Sequence, residues 1–238
     1  MNVVDKSEEK WVGIEEAANH LGVNKDTIRN WIKKENGIPA HRIGKLWKFN
    51  LLNGGNIMKK GRIIIITGSP GTGKSTISSI LAKESNMSKS VNMQTDDFYH
   101  YLSKGAIPPY LPESNEQNLI VIEAFLESAK RYARGGYDVI VDGIVGPWFL
   151  DPWIKAAQEN YEVHYIILRA TKEETMKRAI ERSKLNKETN INLVETMWNQ
   201  FNNLGKYESN VIDTTNSSIE ETVLKVKTEI NNKAYLIN

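Results

Sequence analysis

The stretch GSPGTGKST, Gly68 to Thr76, places Gly68 and Gly73 five residues apart, with Lys74 and Ser75 directly after the second glycine. The spacing G-x-x-x-x-G-K-[ST] is the phosphate-binding loop pattern, and its residue types follow from what a polyphosphate needs. Glycines let successive backbone N–H groups turn inward around an anion, at a helix N-terminus whose dipole already favours negative charge. Gly68, Ser69, Pro70, Gly71, Thr72, Gly73, Lys74, Ser75 and Thr76 together form the expected cradle. Within it, Lys74 reaches the terminal phosphates and the Ser75 hydroxyl is a ligand for Mg²⁺.

A phosphate cradle does not name a reaction. Tyr137–Val141 reads as an apolar strand, and Asp142 follows it where a second carboxylate for Mg²⁺ is expected. The next residue is Gly143, not a glutamate that would activate water, and no N-K-x-D motif follows a strand. Hydrolysis as an end in itself is therefore disfavoured against transfer to a bound hydroxyl. After a second strand comes QTDDFYHYL, Gln94 to Leu102. Asp96 is the candidate base that accepts or orients the proton of the attacking hydroxyl, and Asp97 is assigned to substrate or Mg²⁺. Arg178 and Arg182 lie one helical turn apart and are expected over the nucleotide, where they would neutralise the transferring phosphoryl group.

Charge on the acceptor side narrows the substrate. Between Val91 and Ala129 only Lys104 is a lysine or arginine, against Asp96, Asp97, Glu113, Glu116, Glu123 and Glu127. An anionic acceptor needs arginines to hold it. A neutral or cationic hydroxyl compound is expected instead, with Tyr99, Tyr101, Tyr110 and Trp148 supplying apolar and stacking contacts.

The elements that must position these residues are legible as periodicities. Strands are expected at Ile63–Thr67, Val91–Gln94, Tyr137–Val141, Val163–Leu168 and Val211–Asp213, separated by helical patterns, which predicts a parallel sheet covered by helices. The first is nearly all isoleucine, as a central strand buried on both faces should be. Helical stripes at Ile77/Ile80/Leu81, Ile122/Phe125/Leu126/Ala129, Met176/Ala179/Ile180, Val194/Met197/Trp198/Phe201 and Val223/Val226/Ile230 are read as core. The chain has 238 residues, no cysteine, four histidines without metal-ligand spacing and a net charge of +2. Thiolate chemistry and Cys-ligated metals are excluded, and a protein-encoded metal site is not expected. Without a membrane-length apolar run or a secretory leader, a soluble cytoplasmic protein is expected.

With these motifs in place, residues 58–238 resemble the P-loop kinases grouped with chloramphenicol phosphotransferase, gluconate kinase and zeta toxins. GSPGTGKST, Asp96-Asp97-Phe98 and the R-x-x-x-R of Arg178 and Arg182 carry the likeness, with Asn192 to Thr215 similar to that group's closing helix and last strand. The resemblance implies an α/β fold with a five-stranded parallel sheet ordered 2-3-1-4-5, a lid near Arg178–Thr189, ATP and Mg²⁺, and Asp96 as catalytic carboxylate.

The first fifty residues are a separate matter. WVGIEEAANHLGVNKDTIRNWIKK has helix-turn-helix spacing, with Ile14, Ala17, Ala18 and Leu21 packing on Val23, Ile28, Trp31 and Ile32. Lys25, Thr27 and Arg29 fall on the exposed face of the second helix, and Ile38–Phe49 alternates around Gly44-Lys45 as a wing carrying Arg42, Lys45 and Lys48. Residues 11–50 are similar to the excisionase and MerR-like winged-helix family, which implies DNA as a partner, although the chain lacks that family's further helix. A vestigial or partner-binding module is the alternative. The expected organisation is a small winged helix-turn-helix domain over 1–50, a linker over 51–60 and a kinase domain over 61–238. The main functional alternative to a kinase is a DNA-bound regulator that senses nucleotide or ligand; a toxin-like kinase for a nucleotide-sugar is disfavoured by the missing arginines. An oligomer is compatible with either.

Overall fold

The computed structural model describes residues 10–20, 22–33, 40–51, 61–182 and 187–237. The expected linker residues 52–60, Leu21, and the stretch 183–186 of the expected lid lie outside the described residues. The chain divides into two compact units, residues 1–59 and 60–238.

In the smaller unit β1 (Lys10–Val12) leads into α1 (Ile14–His20) and α2 (Lys25–Lys33), followed by β2 (Ala40–Ile43) and β3 (Leu46–Leu51). Asn24 starts α2: its Oδ1 accepts the Thr27 backbone N–H at 2.7 Å, satisfying a donor that the helix leaves without a partner. The β2–β3 hairpin turns at Gly44 (φ +62°), pairing Ile43 with Leu46. Val12, Ala17, Ala18, Ile28 and Phe49 form the core, with Ile14, Val23, Trp31 and Ile32 packed on it. Strand β1, which pairs antiparallel with β3, was not foreseen. Three residues with Val12 as their one core side chain carry too short an alternation to read.

The larger unit alternates β4 (Arg62–Thr67), α3 (Lys74–Lys83), β5 (Ser90–Gln94), α4 (Thr95–Tyr99), α5 (Asn115–Arg134), β6 (Asp138–Asp142), α6 (Asp151–Gln158), β7 (Glu162–Arg169), α7 (Lys172–Arg182), α8 (Lys187–Gln200), β8 (Val211–Asp213) and α9 (Ile219–Asn231). The five strands are parallel and ordered β5-β6-β4-β7-β8, which is the expected 2-3-1-4-5. Alternation along β4 explains its isoleucines: Ile63 and Ile65 face α5 and α6, Ile64 and Ile66 face α3 and α9, and all four are buried. At the N-terminal edge of the sheet Arg62 grips Asp138 with two bonds, Nη2 to Oδ2 at 2.7 Å and Nε to Oδ1 at 3.0 Å, while the Ser85 hydroxyl donates to Oδ2. The opposite, C-terminal edge is where a doubly wound sheet leaves its crevice.

Three of the expected core stripes hold, in α3, α5 and α9. Two do not hold as wholes. In α7, Ile180 is exposed and lines a cavity together with Ala179; Val194 of α8 and Phe201 just after it are buried, but Met197 faces a cavity. Helical period identifies an apolar face but not whether protein or ligand covers it. Among the described residues no helix is long and apolar enough to cross a membrane.

Candidate active site

The loop from β4 to α3 is built around close backbone approaches. Gly68 has φ +143°, and a Cβ there would lie 2.1 Å from the Leu168 carbonyl oxygen, so no side chain fits. Gly73 takes φ +95° as it hands the chain into α3. The Ser69 carbonyl ties the loop together, accepting from Thr72 Oγ1 at 2.9 Å and from Lys74 Nζ at 3.0 Å. The Ser69 hydroxyl is buried with no hydrogen-bond partner among the described residues. A left-handed glycine loop with an orphaned hydroxyl, a lysine and a helix N-terminus fits a polyphosphate.

A cavity of about 390 Å³ opens on this loop. Its polar wall holds Lys74, Ser75, Asp96 and Asp142, and its apolar wall comes from α7 and α8, including Ile180 and Leu193. Pro70, Gly71 and Gly73 also line it, whereas Ser69 and Thr72 are buried in the loop and Thr76 is exposed outside it. Asp142 ends β6 in register with Gln94 of β5, so the sheet itself brings Asp142 beside the start of α4, which carries Asp96.

A second cavity, about 1030 Å³, lies on the α4 side. Tyr99, Tyr110 and Trp148 line it, together with His100, Asn118 and Met197. Asp96, Ile144 and Leu193 line both cavities. The Tyr99 phenol is pushed up to about 12, first by burial and then by the Asp96 carboxylate, so it stays a hydrogen-bond donor at neutral pH.

Not every candidate arrives. Asp97 and Tyr101 are exposed and line neither cavity; Tyr101 instead packs edge-on against Phe98 at 5.5 Å. Adjacent residues on the single turn of α4 cannot both face the crevice, and Asp96 takes that position. Arg178 is also placed elsewhere. Its Nε donates to Glu174 Oε1 at 2.8 Å and its Nη2 to the Thr214 and Thr215 carbonyls, so it anchors α7 to the end of β8 and lines neither cavity. Arg182 is the last residue of α7, and its side chain lies outside what is described. Residues overlooked in the sequence include His100, Asn118, Leu193 and Met197. The prolines of Ile107–Pro112, three among six residues, were the available signal for a rigid cavity wall.

In the smaller unit the expected DNA contacts on α2 are engaged internally. Lys25 pairs with Glu15 at 2.6 Å, Arg29 with Asp26 at 2.7 Å, and the Thr27 hydroxyl donates to Asn24. Arg42 and Lys45 of the wing are exposed.

Residues 64–199 match the family described as AAA domain. The chain belongs to that AAA domain family. In this AAA-domain protein residues 11–51 separately match a helix-turn-helix domain. A guanylate kinase of Clostridium tetani is 26% identical over 190 residues, covering 73% of this chain and 86% of that protein. Among solved structures, the APS kinase of Mycobacterium tuberculosis in complex with AMPPNP and APS has a TM-score of 0.57 at 15% identity, covering 72% of this chain and 98% of that one. The tunicamycin resistance protein of Deinococcus radiodurans has a TM-score of 0.51 at 18% identity, covering 71% and 95%. The larger unit of this AAA-domain protein thus has the fold of the P-loop kinases.

Proposed function

We propose that the protein is an ATP-dependent phosphotransferase that moves the γ-phosphoryl group onto a hydroxyl of a neutral or cationic small molecule in the cytoplasm. The observation that carries this reading is Asp96, which borders both the phosphate-loop cavity and the larger one. A hydroxyl entering from the larger cavity meets the carboxylate where it would meet the terminal phosphate. Asp96 accepts or orients the hydroxyl proton as the new O–P bond forms and the bond to the β,γ-bridging oxygen breaks, releasing ADP. Lys74 and the inward-turned loop N–H groups stabilise the charge that develops. Ser75 and Asp142 would hold Mg²⁺, which when bound supplies further neutralisation of the phosphates.

The larger cavity supports the acceptor class. No lysine or arginine is among the described residues lining it, whereas Asp96 is. An anion such as guanylate, on which the Clostridium relative is named, would find no guanidinium there to pair with. At about 1030 Å³ the cavity has the size of sites for drug-sized ligands, and Trp148 and Tyr110 offer stacking surfaces. Antibiotic-like ring compounds with free hydroxyls fit both features.

The experiment is acceptor-dependent ADP release from Mg·ATP over a panel of neutral and cationic hydroxyl compounds, with gluconate and GMP as anionic controls and Asp96→Asn as the inactive reference. Turnover confined to the uncharged or cationic members and lost in Asp96→Asn supports the reading. Turnover with the anions alone overturns the acceptor class.

The helix-turn-helix match favours a second role. We propose that the N-terminal unit binds DNA through the wing residues Arg42 and Lys45, with the kinase reading unaffected. If instead the protein is a DNA-bound sensor, Asp96→Asn keeps both nucleotide binding and its effect on DNA binding. Replacing Arg42 and Lys45 by alanine should weaken duplex binding about equally for all sequences and reduce the salt slope by about one per lost phosphate contact.

A further inference from the structure

The segment after β6 is pinned from the sheet. The Val145 N–H donates to Thr67 Oγ1 at 2.9 Å and its carbonyl accepts from Tyr165 Oη at 2.8 Å, and all three residues are buried. Gly146 follows, and its carbonyl accepts from the Phe149 N–H at 2.9 Å, closing a single turn over Pro147–Phe149 that carries Trp148. The indole lies back over Gly146. A Cβ on Gly146 would fall 2.3, 2.4 and 2.5 Å from Cζ2, Cη2 and Cε2, three consecutive atoms of the six-membered ring. Near-equal distances to three adjacent ring atoms put that point over the ring's face, since an edge-on approach would leave the outer two clearly farther than the middle one. Buried Phe201 meets the indole at 5.5 Å with the ring planes 68° apart. Two contacts thus hold the ring, yet 48% of Trp148 is exposed, and it lines the larger cavity. Gly146 itself has φ −76° and ψ 167°, an extended conformation open to other residues. Glycine is needed there for the indole and not for the backbone.

We propose that Trp148 is a stacking platform for an aromatic ring of the acceptor, and that Gly146 is the positioning residue that lets the indole lie there. The proposal deepens the phosphotransferase reading by naming what is recognised beside the hydroxyl, and rests on it only in taking the larger cavity as the acceptor site. An aromatic ring laid against an indole gains from the ring quadrupoles beyond plain burial, which a flexible chain of equal apolarity does not. A platform fixed before binding also loses little freedom when the ligand arrives. No lysine or arginine is among the described residues lining the cavity, so no cation of the wall competes for the indole face. Much of the remaining wall is apolar, from Ile107, Pro108, Pro109, Pro112, Ile122 and Met197. That suits an aromatic ring better than a sugar ring, whose every hydroxyl needs a hydrogen-bond partner once buried.

The test uses the full chain with AMPPNP and a set of probe alcohols: benzyl alcohol, hexan-1-ol (open-chain and more apolar) and methyl β-glucopyranoside. Binding is followed by amide NMR shifts, and the Trp148 indole N–H signal is assigned by its loss in Trp148→Leu. Wild type should bind benzyl alcohol more tightly than either other probe, with the Trp148 signal moving as it binds. Gly146→Ala and Trp148→Leu should each weaken benzyl alcohol roughly two- to tenfold, the span an aromatic pair contributes beyond its burial, and should remove its advantage over hexan-1-ol. That ratio is what a merely structural role would not move, since a loosened cavity weakens both alcohols together. Melting curves report folding, and Trp148→Leu, a change at a half-exposed side chain, carries the test if Gly146→Ala does not fold. AMPPNP affinity should be unchanged in both. The platform is overturned by hexan-1-ol or the glucoside binding wild type as tightly as benzyl alcohol, by an unmoved Trp148 signal, or by an advantage that survives both substitutions. An acceptor panel in which nothing turns over, with benzyl alcohol still shifting Trp148, removes the phosphotransferase reading and leaves the platform. Turnover of aromatic and open-chain acceptors with equal KM does the reverse.

Discussion

A methyl group added to Gly143 would sit 2.0 Å from Thr95 Oγ1 and 2.6 Å from its Cγ2. The C-terminal ends of β5 and β6 approach so closely that the position after Asp142 tolerates no side chain, and the missing hydrolytic carboxylate is a consequence of packing. Gly143→Ala should destabilise the fold by about 1–3 kcal/mol through overpacking. Chemical denaturation followed by tryptophan fluorescence measures this, and a loss below 0.5 kcal/mol (~0.5, within the range of ordinary surface changes) would mean the strand ends can part freely.

Asp96 and Tyr99 are electrostatically linked. Burial is the larger cause of the raised Tyr99 value of about 12, and the Asp96 carboxylate adds to it by disfavouring a second negative charge nearby. Asp96→Asn should therefore lower the Tyr99 value part of the way toward 10, the ordinary phenol value. Ultraviolet difference titration, with Tyr99→Phe to assign the transition, reports the shift. The carboxylate has another orientation if the transition does not move.

Removing one partner of the Arg62–Asp138 pair should be costly, because the Asp138 side chain is 2% exposed and the Arg62 side chain 16% exposed. Asp138→Ala leaves that cation half-desolvated and should cost about 3–5 kcal/mol. The paired replacement Arg62→Met with Asp138→Leu should recover most of it, an outcome that urea midpoints can resolve. Nucleotide binding at the other edge of the sheet should be unaffected in whichever variants remain folded.

His164 lies fully buried on β7, with Nε2 3.0 Å from Glu162 Oε1 and Nδ1 unpartnered among the described residues. Burial pushes its imidazole below 6.5, outweighing the opposing pull of Glu162, while Arg62 reinforces the depression and Asp138 opposes it. The folded state thus holds His164 neutral, and the unfolded chain takes up the extra proton. Stability should fall as pH drops from about 6.5, and His164→Gln should flatten that part of the profile. Denaturant midpoints measured across the acid range give the comparison, and parallel profiles for the two proteins would remove His164 as the cause.

What the sequence determined by itself lies where function is written in local chemistry. The loop from Gly68 to Thr76 is recognisable because its glycines, lysine and serine act through spacing along one turn, and the strand order followed from a family likeness that those few residues already carried. The isoleucines of β4 announced a strand covered on both faces because alternation along a pleat leaves no other use for them. The tertiary structure alone decided which way individual side chains face. Asp96 and Asp97 are indistinguishable as neighbours in sequence and both are exposed, and only the placement of α4 against α5 sets Asp96 on the cavity walls and Asp97 off them. Arg178 looked like a phosphate ligand until the end of β8 supplied two carbonyls, and Glu174 a carboxylate, within its reach. Met197 belongs to a stripe that reads as core because helical period records apolar surface and nothing of what covers it. Which of those faces meets protein and which meets a cavity depends on contacts between segments far apart in the chain, and no local pattern encodes that.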